Sequence, residues 1–188
     1  PKPSLLGDHQ LENSALAVAA IVLIAKKIHG IRLNSCFEGL KYSTWPARLQ
    51  IIEEGRLVNI INNQKRLILL DGAHNLSGAK ALRKTLSKID PEWLIIFGYL
   101  KTRNPVEYLK IMSPISKNII TTNISGNVES YSSYELLKFS DGLGYSSDKS
   151  KNLKEAFKIS KTKKLNICVC GSLYLAGEFL RLNETPPS

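Results

Sequence analysis

Leu67-Ile68-Leu69-Leu70-Asp71-Gly72-Ala73-His74-Asn75 runs four large apolar residues straight into a carboxylate, a glycine, an imidazole and an amide. An apolar run of this length bounded by polar punctuation reads as a strand buried on both faces, as in a parallel sheet covered by helices. The polar cluster then falls at the strand's carboxyl end, the edge where open α/β sheets bind ligands because loops and helix N-termini converge there. Asn75 can cap the next segment, Leu76 to Ile89, in which Ala79, Leu82, Leu86 and Ile89 recur at helical spacing. Asp71 and His74 share one strand-to-helix loop over one crevice. From spacing alone, two readings stand side by side: a ligand site, or a turn in which Asp71 and Asn75 satisfy backbone donors.

Outward from this loop the chain alternates strands and helices. Glu92–Gly98, Lys117–Thr122 and Leu165–Cys170 read as strands, and Leu143–Ser146 as a short one. Pro105–Met112, Ser133–Phe139, Leu153–Ser160 and Leu173–Leu182 read as helices. This rhythm predicts an α/β, Rossmann-like, mostly parallel sheet with helices on both faces. Before it, Asp8 is a candidate N-cap for a long Ala- and Ile-rich helix, His9 to His29, closed by Gly30. Gln10, Asn13 and Ala17 share a face of that helix, which points to an N-terminal end that meets a ligand and a body that is core; ordinary capping is the competing reading. Ile31 to Thr44 lacks periodicity and reads as a connector. Trp45-Pro46 is an extended dipeptide, and Arg48 opens an expected strand, Leu49–Ile52. The polar tail Asn183–Ser188, with two prolines, is expected to fray.

At 188 residues and 43% hydrophobic content the chain can bury one full domain core and some extra structure. Its three cysteines, Cys36, Cys168 and Cys170, are an odd number without zinc spacing, so core packing and a reduced, cytoplasmic setting are expected, with no metal site. The apolar stretch Ala15–Ala25 is too short to span a bilayer. A net charge of +10 comes from lysines scattered along the chain, not from a basic stripe interleaved with stacking aromatics, so neither nucleic acid nor membrane is the expected partner. The densest run, Lys149–Lys164, reads as a solvated face. Gly171-Ser172 opens a helix after the last strand, where an anion site and plain capping by Ser172 are equally open. No phosphate-loop motif GxxxxGK[ST] occurs anywhere.

Asp71-Gly-Ala-His-Asn75 after a hydrophobic strand resembles the signature of the folylpolyglutamate synthase and dihydrofolate synthase family of the Mur ligase superfamily. Three further stretches agree in order: Gly7-Asp-His-Gln-Leu-Glu-Asn13, Trp45-Pro-Ala-Arg-Leu49 and Cys170-Gly-Ser-Leu-Tyr-Leu175. The likeness covers nearly the whole chain and only the family's carboxyl-terminal part. It implies that residues 1–30 are the tail of an ATP-binding domain, 31–44 an interdomain linker, 45–182 the carboxyl-terminal α/β domain and 183–188 a frayed end. By resemblance, Asn13 contacts the adenine of ATP, Arg48 reaches its terminal phosphates, Asp71 accepts from the ribose, and His74 lines the cleft. Arg48 and His74 are the implied catalytic residues. The implied reaction joins L-glutamate to folate or dihydropteroate through an acyl phosphate, with ATP and Mg2+, the metal's ligands lying in an amino-terminal domain; the implied state is a monomer. A Mur-type amino-acid ligase of cell-wall synthesis and a noncatalytic nucleotide-binding remnant of a split gene are the alternatives. Departures from the family pattern are Ala47 where glycine is usual, Leu76 in place of a frequent proline, and Lys101-Thr-Arg-Asn104 in place of a more acidic turn. The methyl of Ala47 is expected to cost little unless its backbone needs positive φ.

Overall fold

The computed structural model describes residues 3–61, 66–126 and 129–185. Helix α1 spans Asp8–Ala25 and α2 Leu33–Tyr42. There follow β1 (Gln50–Ile51), α3 (Arg56–Ile60), β2 (Ile68–Leu70), α4 (Leu76–Ile89), β3 (Trp93–Phe97), α5 (Pro105–Met112) and β4 (Asn118–Thr122). The chain closes with α6 (Ser133–Asp141), β5 (Ser146–Ser150), α7 (Leu153–Ser160), β6 (Asn166–Cys170) and α8 (Leu173–Asn183). The strands form one sheet in the order β1-β2-β6-β3-β4-β5, parallel throughout except for the antiparallel edge pair β1–β2.

Alternation along each strand splits the core into two layers. Ile68, Leu94, Ile96, Ile120, Ile167 and Val169 face Leu57 of α3, Phe157 of α7 and Phe179 of α8. Leu69, Trp93, Ile95, Phe97, Cys168 and Cys170 face Leu82 and Leu86 of α4, Tyr108 of α5 and Leu136 of α6. All of these are fully or almost fully buried, and each large side chain contributes about 1.5–3 kcal/mol relative to exposure. Cys168 and Cys170 are thus free thiols packed in the core, and the hydrogen bond with Cys170, together with burial, pushes the Cys168 thiol up.

Several local expectations are corrected. Ile31–Thr44 holds a helix, α2, because Leu33, Cys36, Phe37 and Leu40 recur at helical spacing despite the intervening Asn34, Ser35 and Gly39. The expected strand Leu49–Ile52 contracts to Gln50–Ile51, with Arg48 in the turn before it. The short strand expected at Leu143–Ser146 lies instead at Ser146–Ser150, where a polar sheet edge needs no apolar alternation; its Lys149 and the helix α7 lie within the run read as one solvated face. Gly7, at φ 105°, occupies the N-cap of α1, while Asp8 pairs with Lys84 and Lys88 of α4 at 3.1 and 2.8 Å. That helix ends at Ala25, short of His29. Its body, expected to be core, is largely exposed, with Leu16 at 70% and Leu23 at 62%; α1 packs mainly on α2 and α4, and among the described residues only Gln10 of α1 is buried. No helix of the described residues is long and apolar enough to cross a membrane.

The expected frayed tail is structured at its start, and residues 186–188 lie outside the described residues. Asn183 is fully buried; its Oδ1 accepts from the Leu57 and Val58 amides at 2.9 and 3.3 Å, and its Nδ2 donates to the Glu54 carbonyl at 2.8 Å. One amide therefore caps α3 and ties the end of α8 to the segment Glu54–Val58. Asn183→Ala leaves those backbone groups without partners and is expected to lower the unfolding free energy by about 2–3 kcal/mol in urea titrations. A change below about 0.5 kcal/mol would contradict this role.

Candidate functional site

The loops that follow β2, β6, β3 and β4 leave the same edge of the sheet, and the loop after β2 carries the polar cluster. Asp71 is 6% exposed. Its Oδ2 accepts from the Leu49 amide at 2.8 Å and its Oδ1 from the Ala73 amide at 2.7 Å. The Gly72 amide donates to the Ala47 carbonyl at 2.7 Å, so the carboxylate and the backbone beside it stitch the Asp71 loop to residues 47–49. Ala47 and Leu49 lie at φ 57° and 49°, the left-handed region that costs an L-residue about 1–2 kcal/mol. The methyl of Ala47 is therefore not free, as it would be in extended backbone. The Ala47 amide donates to Gln50 Oε1 at 3.0 Å, and Asp71 holds Leu49, so both strained residues are pinned from the side. Arg48 sits between them. Burial raises the Asp71 carboxyl, while the Ala73 and Leu49 amides and the charges of Arg48 and His9 pull it back.

Beneath the loop lie three stacked rings. Phe97, Tyr99 and Tyr108 have centroids 5.2–5.3 Å apart. The Tyr108 hydroxyl donates to the Ala73 carbonyl and the Tyr99 hydroxyl to the His74 carbonyl, each at 3.1 Å. Burial pushes both phenols up, Tyr108 strongly, which keeps them protonated donors. Phe97 also stands against Gly171, at φ 113°, where a Cβ would meet its ring at 2.7 Å and the Gly98 carbonyl at 2.6 Å. Only glycine fits there. Ser172 accepts from the Tyr174 amide at 3.1 Å, the capping role left open by the sequence.

A cavity of about 710 Å³ opens between α1 and this edge. His9, Gln10 and Asn13 line it from α1; Asp71, Ala73, Asn75, Ser77 and Gly78 from the loop and the start of α4; Trp45, Arg48 and Leu49 from the pinned turn. Asn75 Oδ1 accepts from the Gly78 amide at 2.7 Å, the cap its position predicts. The half-buried Arg48 guanidinium makes neither hydrogen bond nor ion pair among the described residues, leaving a forked cation free for an anion beside the positive end of α4. Asn13, Arg48 and Asp71 thus border one space. His74 does not line it; its Nδ1 lies 2.9 Å from the Gly72 carbonyl. Tyr99 and Tyr108 carry no mark in the sequence as site residues. Gln10 carried a signal in its shared face with Asn13, whereas the two phenols act across long separations that no local pattern records. Among the described residues no three His, Cys, Asp or Glu side chains converge on a cation site.

The fold and cleft define a doubly wound α/β domain whose strand-end loops meet the first turns of helix α1. A family model described as dihydrofolate synthetase, C-terminal domain, matches residues 56–182. The chain belongs to the dihydrofolate synthetase and folylpolyglutamate synthase family and corresponds to its carboxyl-terminal part. A probable dihydrofolate synthetase of Schizosaccharomyces pombe is 29% identical over 94% of this chain and 43% of its own length. The dihydrofolate synthetase of Saccharomyces cerevisiae is 28% identical over 98% of this chain and 46% of its own. The crystal structure of Mycobacterium tuberculosis folylpolyglutamate synthase complexed with ADP and AMPPCP superposes with TM-score 0.84 at 19% identity, over 99% of this chain and 42% of that one, a likeness of fold. The chain spans less than half the length of these relatives.

The clamp formed by Asp71 has a test in stability. In Asp71→Asn only one side-chain atom can accept, so one of the Leu49 and Ala73 amides faces a donor, and the unfolding free energy at pH 7 should fall by about 1–3 kcal/mol. Because the folded carboxyl is raised above its ordinary 3.8, the stability its protonated form contributes is present below 3.8 and lost as pH rises through the folded value. The gap between parent and variant should therefore widen as pH falls. Equal stabilities, or a gap independent of pH, would contradict the assignment.

Proposed function

We propose that this chain is the carboxyl-terminal portion of an ATP-dependent ligase that joins L-glutamate to folate or dihydropteroate, and that residues 1–30 are the end of its ATP-binding domain. The observation that carries this reading is the unpartnered Arg48 guanidinium, pinned between two left-handed residues on a cavity shared by Asn13, Asp71 and the start of α4. A cavity of about 710 Å³ is within the range of small-ligand sites, and its lining suits a nucleotide triphosphate: a free guanidinium and a helix N-terminus for phosphate, amides for a base. In this reading Asn13 binds adenine, Arg48 the terminal phosphates, and Asp71 the ribose in addition to its clamp, through lone pairs that the Leu49 and Ala73 amides leave open. The described residues do not by themselves fit Mg2+, whose ligands are assigned to the remainder of the ligase.

The chemistry asked of this chain is positioning and charge stabilisation. A substrate carboxylate takes the terminal phosphoryl group, and the amino group of glutamate displaces phosphate from the resulting acyl phosphate. Arg48 offers two parallel N–H donors to charge that develops on the transferring group, an interaction stronger in the transition state than in the bound ground state. The lysine-rich surface adds a positive field for ATP and a polyanionic product.

In the intact ligase, Arg48→Ala should lower kcat by about a hundredfold or more while folate KM moves less than about threefold. Unchanged kcat would remove Arg48 from the reaction. The 188-residue chain alone should give no glutamate ligation with ATP, and measurable turnover by it would contradict the division of labour proposed here.

A further inference from the structure

Among the described residues, the hydrogen bonds and ion pairs that join helix α1 to the α/β domain all belong to one side chain. Asp8 Oδ2 lies 2.8 Å from Lys88 Nζ and 3.1 Å from Lys84 Nζ of α4. Positions 84 and 88 are one turn apart, so both ammonium groups reach the carboxylate from the same face of α4. Lys88 and Lys84 together hold the Asp8 carboxyl below its ordinary value. Thr85, between them, stands against Gly7: a Cβ there would meet Thr85 Oγ1 at 3.2 Å and the His9 ring at 2.6 Å. Beyond its first turns α1 is largely open to solvent, Leu16 and Leu23 included. The same helix α4 serves two purposes along its length. Ser77, Gly78 and Ala81 line the cavity, and one turn further Lys84 and Lys88 take Asp8.

We propose that Asp8, Lys84 and Lys88 form a salt-sensitive latch that sets the width of the nucleotide cavity, Asp8 being a positioning residue for α1. The inference rests on the nucleotide reading above and adds what fixes the spacing of the two walls. Asn13 lines the cavity from α1, whereas Arg48 and Asp71 line it from the α/β domain. A ligand that touches both walls binds in full only when they stand at its own span. If the walls hold that spacing for a fraction of the time, the observed affinity falls by the same fraction. Holding them there before the ligand arrives removes part of the ordering cost of binding. Asp8 is one turn or less from the cavity-lining residues of α1, and its partners are one turn from those of α4, so the latch closes where the two walls converge. All three side chains are exposed, and exposed ion pairs are individually weak, so the effect on affinity is about fivefold and not orders of magnitude.

The test is the dissociation constant of ATP, measured by calorimetry on the intact ligase, on Asp8→Asn, on Lys84→Gln/Lys88→Gln and on the triple variant. Asp8→Asn makes the neighbourhood of the cavity more positive and the lysine substitutions make it less so. A long-range field alone would therefore tighten ATP in the first and weaken it in the second. The latch predicts that both weaken ATP, Asp8→Asn by about fivefold, and that Asp8→Asn has no further effect once the lysines are gone. Raising the ionic strength from about 0.01 M to about 1 M shortens the screening length from about 30 Å to about 3 Å, and the gap between parent and Asp8→Asn should shrink to within about twofold. Asp8→Asn that binds ATP as tightly as the parent or more tightly would overturn the proposal and leave the nucleotide reading intact. So would an equal loss with and without the lysines, or a loss unchanged by salt, either of which marks a residue that acts through the fold of its own helix. A parent that binds no ATP would overturn both readings.

Discussion

A single buried carboxylate organises the working edge of this sheet. Asp71 accepts from Leu49 and from Ala73, groups 22 and 2 residues away, and so joins the turn before the antiparallel edge strand to the loop after the first parallel strand. The join holds Ala47 and Leu49 in left-handed conformations that neither residue favours. What it delivers is Arg48, aimed at a cavity and not at a protein partner. Among the described residues the carboxylate forms no ion pair, and burial raises it against the pull of the Ala73 and Leu49 amides and of Arg48 and His9, which fits a group kept for its two acceptor atoms.

The sheet below supplies the rigidity this arrangement requires. Trp93 to Phe97 are buried on both faces, and the rings of Phe97, Tyr99 and Tyr108 form a platform under two loops at once. The phenols fix the carbonyls of Ala73 and His74, and Phe97 closes on the bare Cα of Gly171. Loops that come from β2 and β6, neighbours in the sheet, are thereby referenced to β3. The cleft is thus bordered by one well-braced wall and one exposed helix, with Asn13, Arg48 and Asp71 at its margin.

Much of this was legible in the sequence, for reasons that can be named. Ile68–Leu70, Trp93–Phe97 and Asn166–Cys170 are central parallel strands, and burial on both faces leaves continuous apolar runs that local patterning detects. Asn75 and Ser172 cap their helices through nearest-neighbour chemistry, so they too could be read from position. What escaped was set by distant contacts or by the sheet's margin. The strand Ser146–Ser150 is polar because it lies at an edge; Asn183 looks like the start of a loose tail until its amide meets Leu57, 126 residues away. The positive φ of Ala47 was signalled only by the glycine usual there in the resembling family; that of Leu49 had no local marker, because the bond to Asp71 that holds it spans 22 residues.

The dependence of the site on Asp71 is most directly tested at one amide. Leu49 lies outside every helix and strand, and its N–H bonds to the Asp71 carboxylate at 2.8 Å. Native-state hydrogen exchange followed by NMR reads that bond alone. Protection of the Leu49 amide comparable to that of Leu69 and Leu70 in β2, and lost in Asp71→Ala, is the expected result. Exchange of Leu49 at the rate of an unprotected loop amide in the parent would show that the carboxylate does not hold the turn, and that Arg48 is not positioned in this way.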